Sequence, residues 1–154
     1  MAPAALPSRP RPPWCWPVSK SETPAADGGI ADPTTEAFWA ACRERRLLVQ
    51  RCRACGHHQF YPRPLCLSCE STDLDWVEAK GGGEIYSITT VRVPVTDELP
   101  PPYQLAIVAL DEGPRLLTNI EGDHAAIGDR VAVGWRERPP LPPLPIFRRV
   151  ARPA

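Results

Sequence analysis

The 154-residue chain carries no net charge, because 18 basic residues balance 18 acidic ones. Without a positive excess there is no long-range field to draw it onto nucleic acid or an anionic membrane, so any anion site has to be built locally. No run of about 18 apolar residues is available to cross a bilayer. The N-terminal stretch, with its prolines and Trp14-Cys15-Trp16, has no apolar core of the kind a secretory signal needs. These absences predict a cytoplasmic protein without a membrane segment. Chemistry-bearing motifs are missing as well: there is no Gly-x-Ser-x-Gly nucleophile turn, no Gly-x-x-x-x-Gly-Lys phosphate loop and no Gly-x-Gly-x-x-Gly dinucleotide fingerprint. Histidines number three. His57 and His58 read as surface polar groups, and the neighbours Asp123 and His124 lack a nucleophile to complete a catalytic set. No catalytic residue is expected.

What the chain does have is cysteine in pairs. Cys52-x-x-Cys55 and Cys66-x-x-Cys69 are separated by ten residues, the spacing of two tight knuckles that together present four thiolates to one tetrahedral metal ion. In a chain with no secretion signal this pattern favours metal over disulfides. Zinc is the expected ion and its role structural, since a closed four-thiolate shell leaves no position for an activated water. Iron in a rubredoxin-type electron carrier is the alternative. Gly56 closes the first knuckle where a positive φ is often needed; Glu70 stands at the matching place in the second, which predicts a different turn or mild strain there. Cys42 lies outside both pairs and reads as a small buried apolar residue.

Proline and glycine divide the remainder. Residues 1–30, with seven prolines and few large aliphatics, are expected to form a disordered arm. Asp32-Pro33 is a helix start, and helix-compatible residues run from Thr34 to Arg46 with Phe38, Trp39, Ala41 and Cys42 on one face. Leu47–Arg51 and Asp73–Glu78 are the strands expected to flank the knuckles, giving a helix-plus-ribbon unit over 31–80. Gly81-Gly82-Gly83 reads as a flexible hinge. Beyond it, Glu84–Val93, Gln104–Leu110, Arg115–Ile120, Arg130–Arg136 and Ile146–Val150 read as five short strands, with one helical turn over Asp123–Ala126 and a proline-rich crossing over Pro139–Pro145. The fold expected is mainly β: an N-terminal helix and rubredoxin-like zinc ribbon, followed over 81–150 by a five-stranded OB-fold barrel. A small open sandwich is the competing architecture.

One local concentration of charge stands out against the neutral total. Arg43, Arg45, Arg46, Arg51, Arg53 and Arg63 cluster around the helix and the ribbon. Guanidinium groups bind phosphates bidentately and stack on adenine. Arg46, Arg51, Arg53 and Arg63 are therefore candidate contacts for the phosphates of a nucleotide or coenzyme A, or for a protein partner, and Phe38 and Trp39 are candidate partner contacts. A solvated basic rim is the plainer reading of the same arginines. A single-strand nucleic-acid binder is the alternative function for a zinc ribbon joined to an OB barrel. Zero net charge counts against it, as does the pair Tyr86 and Tyr103 as the only aromatics from Glu84 to Ile120.

The order of these parts resembles a known family. The segment from Phe38 through Cys52, then Cys55-Gly56, Phe60-Tyr61-Pro62-Arg63-Pro64, Cys66 and Cys69, is similar to the opening of the bacterial and archaeal OB-fold proteins with an N-terminal rubredoxin-like zinc ribbon, the family of domain of unknown function thirty-five. Trp76–Ala79, Gly83-Glu84-Ile85-Tyr86-Ser87, Tyr103–Gly113, Ile127-Gly128-Asp129 and Pro145-Ile146-Phe147-Arg148 continue the likeness, which covers about Ala31 to Arg149. The resemblance implies a non-catalytic, acyl-CoA-associated subunit in a hetero-oligomer. Its partner would be a thiolase-superfamily enzyme or a steroid side-chain aldolase, in lipid, steroid or polyketide metabolism. Acyl-CoA is the ligand so implied.

Overall fold

The computed structural model describes residues 32–94, 99–122 and 124–150; the expected arm over residues 1–30 and the residue Asp123 lie outside them. Helix α1 spans Glu36–Arg43 and is shorter at both ends than its composition suggests. Asp32 caps a turn rather than the helix: its Oδ1 accepts from Thr34 N at 2.9 Å and its carbonyl from Thr35 N at 2.9 Å. Thr35 is the N-cap residue. At the other end Arg45 takes φ 57°. Arg46 N then donates to Ala41 O and Arg45 N to Cys42 O, both at 3.0 Å, the paired bonds of a left-handed helix stop. Arg45 and Arg46 therefore lie beyond the helix.

Strand β1 (Leu48–Cys52) pairs antiparallel with the two-residue β2 (His58–Gln59) on one side and with β3 (Leu74–Glu78) on the other, in the order β2-β1-β3. This is the ribbon. The remaining strands, β4 (Gly82–Val91), β5 (Tyr103–Leu110), β6 (Arg115–Glu121), β7 (Arg130–Arg138) and β8 (Leu141–Arg149), form a closed barrel in the order β4-β5-β6-β8-β7. The β6–β8 contact is parallel and all others are antiparallel, which closes the sheet and removes its edges. The open sandwich is thereby excluded.

Three expectations about the barrel are corrected. Gly81-Gly82-Gly83 is the entry to β4 and not a free hinge: Val133 N donates to Gly81 O at 2.8 Å and Asp111 N to Gly82 O at 3.0 Å. Glycine is required at 83 because a Cβ there would sit 2.6 Å from the Ala109 carbonyl oxygen. The proline-rich crossing is mostly strand, since β8 begins at Leu141 and pairs back on β7 through Arg138↔Leu141 and Arg136↔Leu144. Prolines are tolerated there because β6 pairs with β8 only at Ile120↔Phe147 and Glu121↔Arg148, leaving the earlier backbone free of a ladder on that side. Thr118 Oγ1 satisfies the Pro145 carbonyl at 3.0 Å. No helical turn forms at His124–Ala126, where Ala125 N and O are bound instead by the Gln104 side chain at 3.0 and 3.1 Å.

One apolar core runs through both parts. Phe38, Cys42, Leu47 and Val49 from the helix and β1 belong to the same buried cluster as Ile85, Val108, Val131 and Phe147 of the barrel. The expected helix face is correct for Phe38, Ala41 and Cys42, while Trp39 is half-buried. Cys42 is fully buried, and burial pushes its thiol up to about 12, so it remains protonated and apolar in behaviour.

Candidate metal centre

Two backbone turns of the same form present the four cysteines. In the first, Gly56 N donates to Cys52 O at 2.8 Å and Cys52 N to His57 O at 2.8 Å; in the second, Glu70 N donates to Cys66 O at 2.9 Å and Cys66 N to Ser71 O at 2.8 Å. Gly56 has φ 75° and Glu70 φ 61°, so the second knuckle does not use a different turn. It uses the same left-handed one, with a residue that carries a Cβ and therefore costs about 1–2 kcal/mol there.

The sulfurs converge. Cys52 Sγ lies 3.6 Å from Cys69 Sγ, Cys55 Sγ lies 3.7 Å from Cys66 Sγ, and all four fall within 4.8 Å of one another. A tetrahedron with metal–sulfur bonds of about 2.3 Å has edges of roughly 3.8 Å, which the Cys52–Cys69 and Cys55–Cys66 pairs match, so the donor set fits a single zinc ion. When bound, zinc supplies cross-links between the two knuckles and a positive charge that holds the thiols as thiolates. Without that charge the neighbouring thiols titrate apart: the Cys55 backbone N–H pulls the Cys52 thiol down to about 7, while Cys69 is pushed up to about 12, because the lowering by the Ser71 backbone is outweighed by hydrogen bonds with the neighbouring sulfurs and by burial. Cys52 and Cys66 are buried and Cys55 and Cys69 exposed, so the cluster sits at the surface of the ribbon.

Beneath the knuckles is a buried polar pair that composition alone does not reveal. Gln50 and Gln59, 6 % and 3 % exposed, face each other across β1 and β2, and Gln59 Nε2 donates to Gln50 Oε1 at 3.0 Å. Gln50 also binds Arg63 through both its N–H (2.8 Å) and its carbonyl (3.0 Å). Gln59 binds the Leu65 carbonyl (3.1 Å) and the Leu67 N–H (2.9 Å). Neither glutamine belongs to a motif, so residue type and spacing do not mark this frame.

The candidate arginines separate into two groups. Arg46 is bound to Glu44 at 2.6 Å and approaches Glu78 at 3.6 Å; Arg53 lies 3.2 Å from Asp75 and 3.7 Å from Asp73. Arg45 reaches Glu137 of the barrel at 2.9 Å. Arg51 and Arg63 are exposed and, among the described residues, have no carboxylate within ion-pairing distance. Phe38, at 2 % exposure, packs edge-on against Trp39 and Phe60 and has no surface to offer a partner; Trp39 keeps part of its ring accessible beneath Arg138. His57 is exposed, His58 forms part of β2, and neither joins the sulfur cluster. His124 Nδ1 accepts a hydrogen bond from Gln104 Nε2 at 2.6 Å. Among the described residues no helix is long and apolar enough to cross a membrane.

Comparison with known proteins agrees with this architecture. Residues 39–75 match the family described as "ChsH2, rubredoxin-like zinc ribbon domain", and residues 76–136 match "ChsH2, C-terminal OB-fold domain". A "Probable enoyl-CoA hydratase alpha subunit" of Thermomonospora curvata is 43% identical over 116 residues, covering 73% of this chain but only 36% of the relative, so the chain spans about a third of that protein's length. A "DUF35 domain-containing scaffold protein" of Pyrococcus furiosus is 34% identical over 105 residues, covering 65% of this chain and 76% of the relative. Among solved structures, a chain of the "Ltp2-ChsH2(DUF35) aldolase" is 38% identical, with a TM-score of 0.71 over 77% of this chain and 95% of that one. With a four-cysteine ribbon ahead of a closed five-stranded barrel, and both ChsH2 domain families matched in that order, this chain belongs to the DUF35 family.

Proposed function

We propose that this chain is a non-catalytic accessory subunit of an acyl-CoA-processing enzyme, a thiolase-like or aldolase protein of lipid, steroid or polyketide metabolism. The observation that carries the reading is the likeness, at 38% identity and over 95% of its length, to the DUF35 chain of an aldolase assembled from two named components, Ltp2 and ChsH2. The relative named as an enoyl-CoA hydratase alpha subunit supports the same class of chemistry, and its name also denotes a subunit. The metal centre fits the role: a four-thiolate ion is closed to substrate and acts by holding the ribbon's shape. In this reading the partner performs the reaction on the acyl-CoA and this chain stabilises it. Arg51 and Arg63 are then the ribbon arginines left to contact the coenzyme's phosphates or the partner itself, since Arg46 and Arg53 are already paired with carboxylates.

The test is co-expression of the full chain with the thiolase-superfamily or aldolase protein encoded nearest to its gene. A complex that survives size-exclusion chromatography, with acyl-CoA turnover higher than that of the partner alone, is the expected result. Absence of a complex together with unchanged turnover overturns the proposal.

A further inference from the structure

The segment that leads from β2 into the second knuckle exposes an unusual sequence of side chains. Tyr61, Leu65 and Leu67 are 48%, 40% and 62% exposed, and Arg63, also exposed, lies between them with no carboxylate partner among the described residues. Loops with exposed apolar groups are ordinarily mobile, and ordering them on binding costs about 0.5–1.5 kcal/mol per immobilised side chain. This one is already held. The buried Gln50–Gln59 pair binds the backbone of the same residues whose side chains project outward: Arg63 at its N–H and carbonyl, Leu65 at its carbonyl and Leu67 at its N–H. Cys66, within the run, is anchored in the metal cluster. Tyrosine and arginine are enriched at the hot spots of protein interfaces, and here Arg63 stands on a backbone fixed before any partner arrives, with Tyr61 two residues ahead of it.

From this arrangement we infer that loop 61–67 is a preformed docking surface for a protein partner, one whose face offers an apolar hollow and a carboxylate to meet Arg63. The inference rests on the accessory-subunit reading and assigns the docking face within it. Charge selects the occupant. Among the described residues, Arg51 and Arg63 are cations on this side of the ribbon with no carboxylate in ion-pairing distance, so a face bearing carboxylate is attracted. A phosphate-rich ligand fits less well, because Arg46 and Arg53 are already paired with carboxylates. The cleft of about 580 Å³ that Leu67 lines with Phe60 and Arg115 also contains Glu112, whose buried Oε2 has no hydrogen-bond partner. Glu112 Oε1 accepts from Lys80 N at 2.7 Å, so this carboxylate places a negative charge beside Arg115 in the cleft.

The experiment has a part that needs no partner and a part that does. In the isolated full chain with zinc bound, amide hydrogen exchange at Arg63 and Leu67 is expected to be slow; fast exchange at both overturns the preformed loop. In the complex with the enzyme used above, Arg63→Glu and Leu67→Ser are each expected to weaken the measured Kd by about tenfold or more. Leu117→Ser is the control, altering a side chain that is 64% exposed on β6 of the barrel, and should change Kd less than about twofold. If the loop variants bind like the unaltered chain, the docking surface is refuted while the accessory role stands; if the unaltered chain forms no complex, both fall. Titration of the free chain with coenzyme A gives the remaining outcome: binding abolished by Arg63→Glu, with partner affinity unchanged, would assign Arg63 to the ligand and overturn the inference.

Discussion

In the barrel the fully buried side chains are large and apolar, among them Ile85, Val108, Ile146 and Phe147, while charged residues at its surface form ion pairs, as Arg130 of β7 does bidentately at 2.8 Å with Asp111 in the turn after β5. In the ribbon the buried groups are sulfurs and amides: Cys52, Cys66, Gln50 and Gln59, with Val49 and Leu47 reaching into the shared core. A three-stranded sheet containing one strand of two residues cannot bury enough apolar surface to offset the entropy of ordering it. Metal cross-links and a polar frame supply the difference. Because the ribbon does not depend on its outer apolar side chains for stability, Tyr61, Leu65 and Leu67 are free to face outward. The barrel carries most of the chain's apolar stability and the ribbon its most preorganised surface.

The largest way to break this contrast is to remove the metal. Cys52→Ser is expected to abolish tight zinc binding, measured by elemental analysis, and with it a contribution on the order of 10 kcal/mol that small zinc modules draw from metal. Amide exchange should accelerate in β1, β2 and both knuckles while β4–β6 stay protected. Full zinc content with unchanged exchange would contradict the division of labour. The core residues Phe38 and Val49, which join ribbon to barrel, set how far the loosening spreads.

The next effect belongs to the barrel. Gly83→Ala places a Cβ 2.6 Å from the Ala109 carbonyl oxygen and 2.7 Å from Val108 Cγ1. Backbone must shift, so a loss of roughly 1–3 kcal/mol is expected in denaturant unfolding, with zinc content unchanged. A neutral result would restore the view of the glycine run as a simple hinge.

That glycine run shows why some of the fold was legible in the sequence and some was not. The metal site could be read because its chemistry is local: two Cys-x-x-Cys pairs and the distance between them already determine a tetrahedral set. The five strands could be read because alternation in β4 and the apolar run of β5 are also local. What Gly83 touches is 26 residues away in the chain, and the strand pattern that starts at Glu84 does not say that it already includes the glycines before it. The prolines of β8 were misleading for the same reason, since tolerance of Pro145 depends on where β6 begins to pair. Phe38 illustrates a third case: an aromatic on a helix beside arginines has the composition of an interface, and only the position of Phe60 and the barrel makes it core. Gln50 and Gln59 carry no motif; their meaning lies in the loop they face.

A smaller change sharpens the comparison of the two knuckles. Glu70→Gly puts glycine at a position with φ 61°, matching Gly56, and should stabilise the zinc-bound chain by about 1 kcal/mol. The check is the thermal midpoint at saturating zinc. A loss of stability would mean that the Glu70 side chain makes a compensating contribution in the folded ribbon.

The smallest effect is electrostatic and confined to the barrel. Burial alone would raise the pKa of Glu121, but hydrogen bonds and charge from Arg136 at 2.6 Å and Arg148 at 3.1 Å outweigh it and hold the carboxyl below its ordinary value. A carboxyl whose pKa is lower in the folded state than in the unfolded chain contributes stability fully above the unfolded value, near 4.3. That contribution disappears as pH falls through the folded value. Glu121→Gln should therefore cost roughly 1 kcal/mol or less at pH 7 and nothing once the wild-type carboxyl is protonated, so the two stability curves converge in acid. The side chain is 26% exposed, which keeps the effect modest. Curves that stay parallel from neutral pH into acid would show that Glu121 acts by packing against β7 and β8, and that ion pairing at this seam adds nothing to a barrel already closed by its hydrogen bonds.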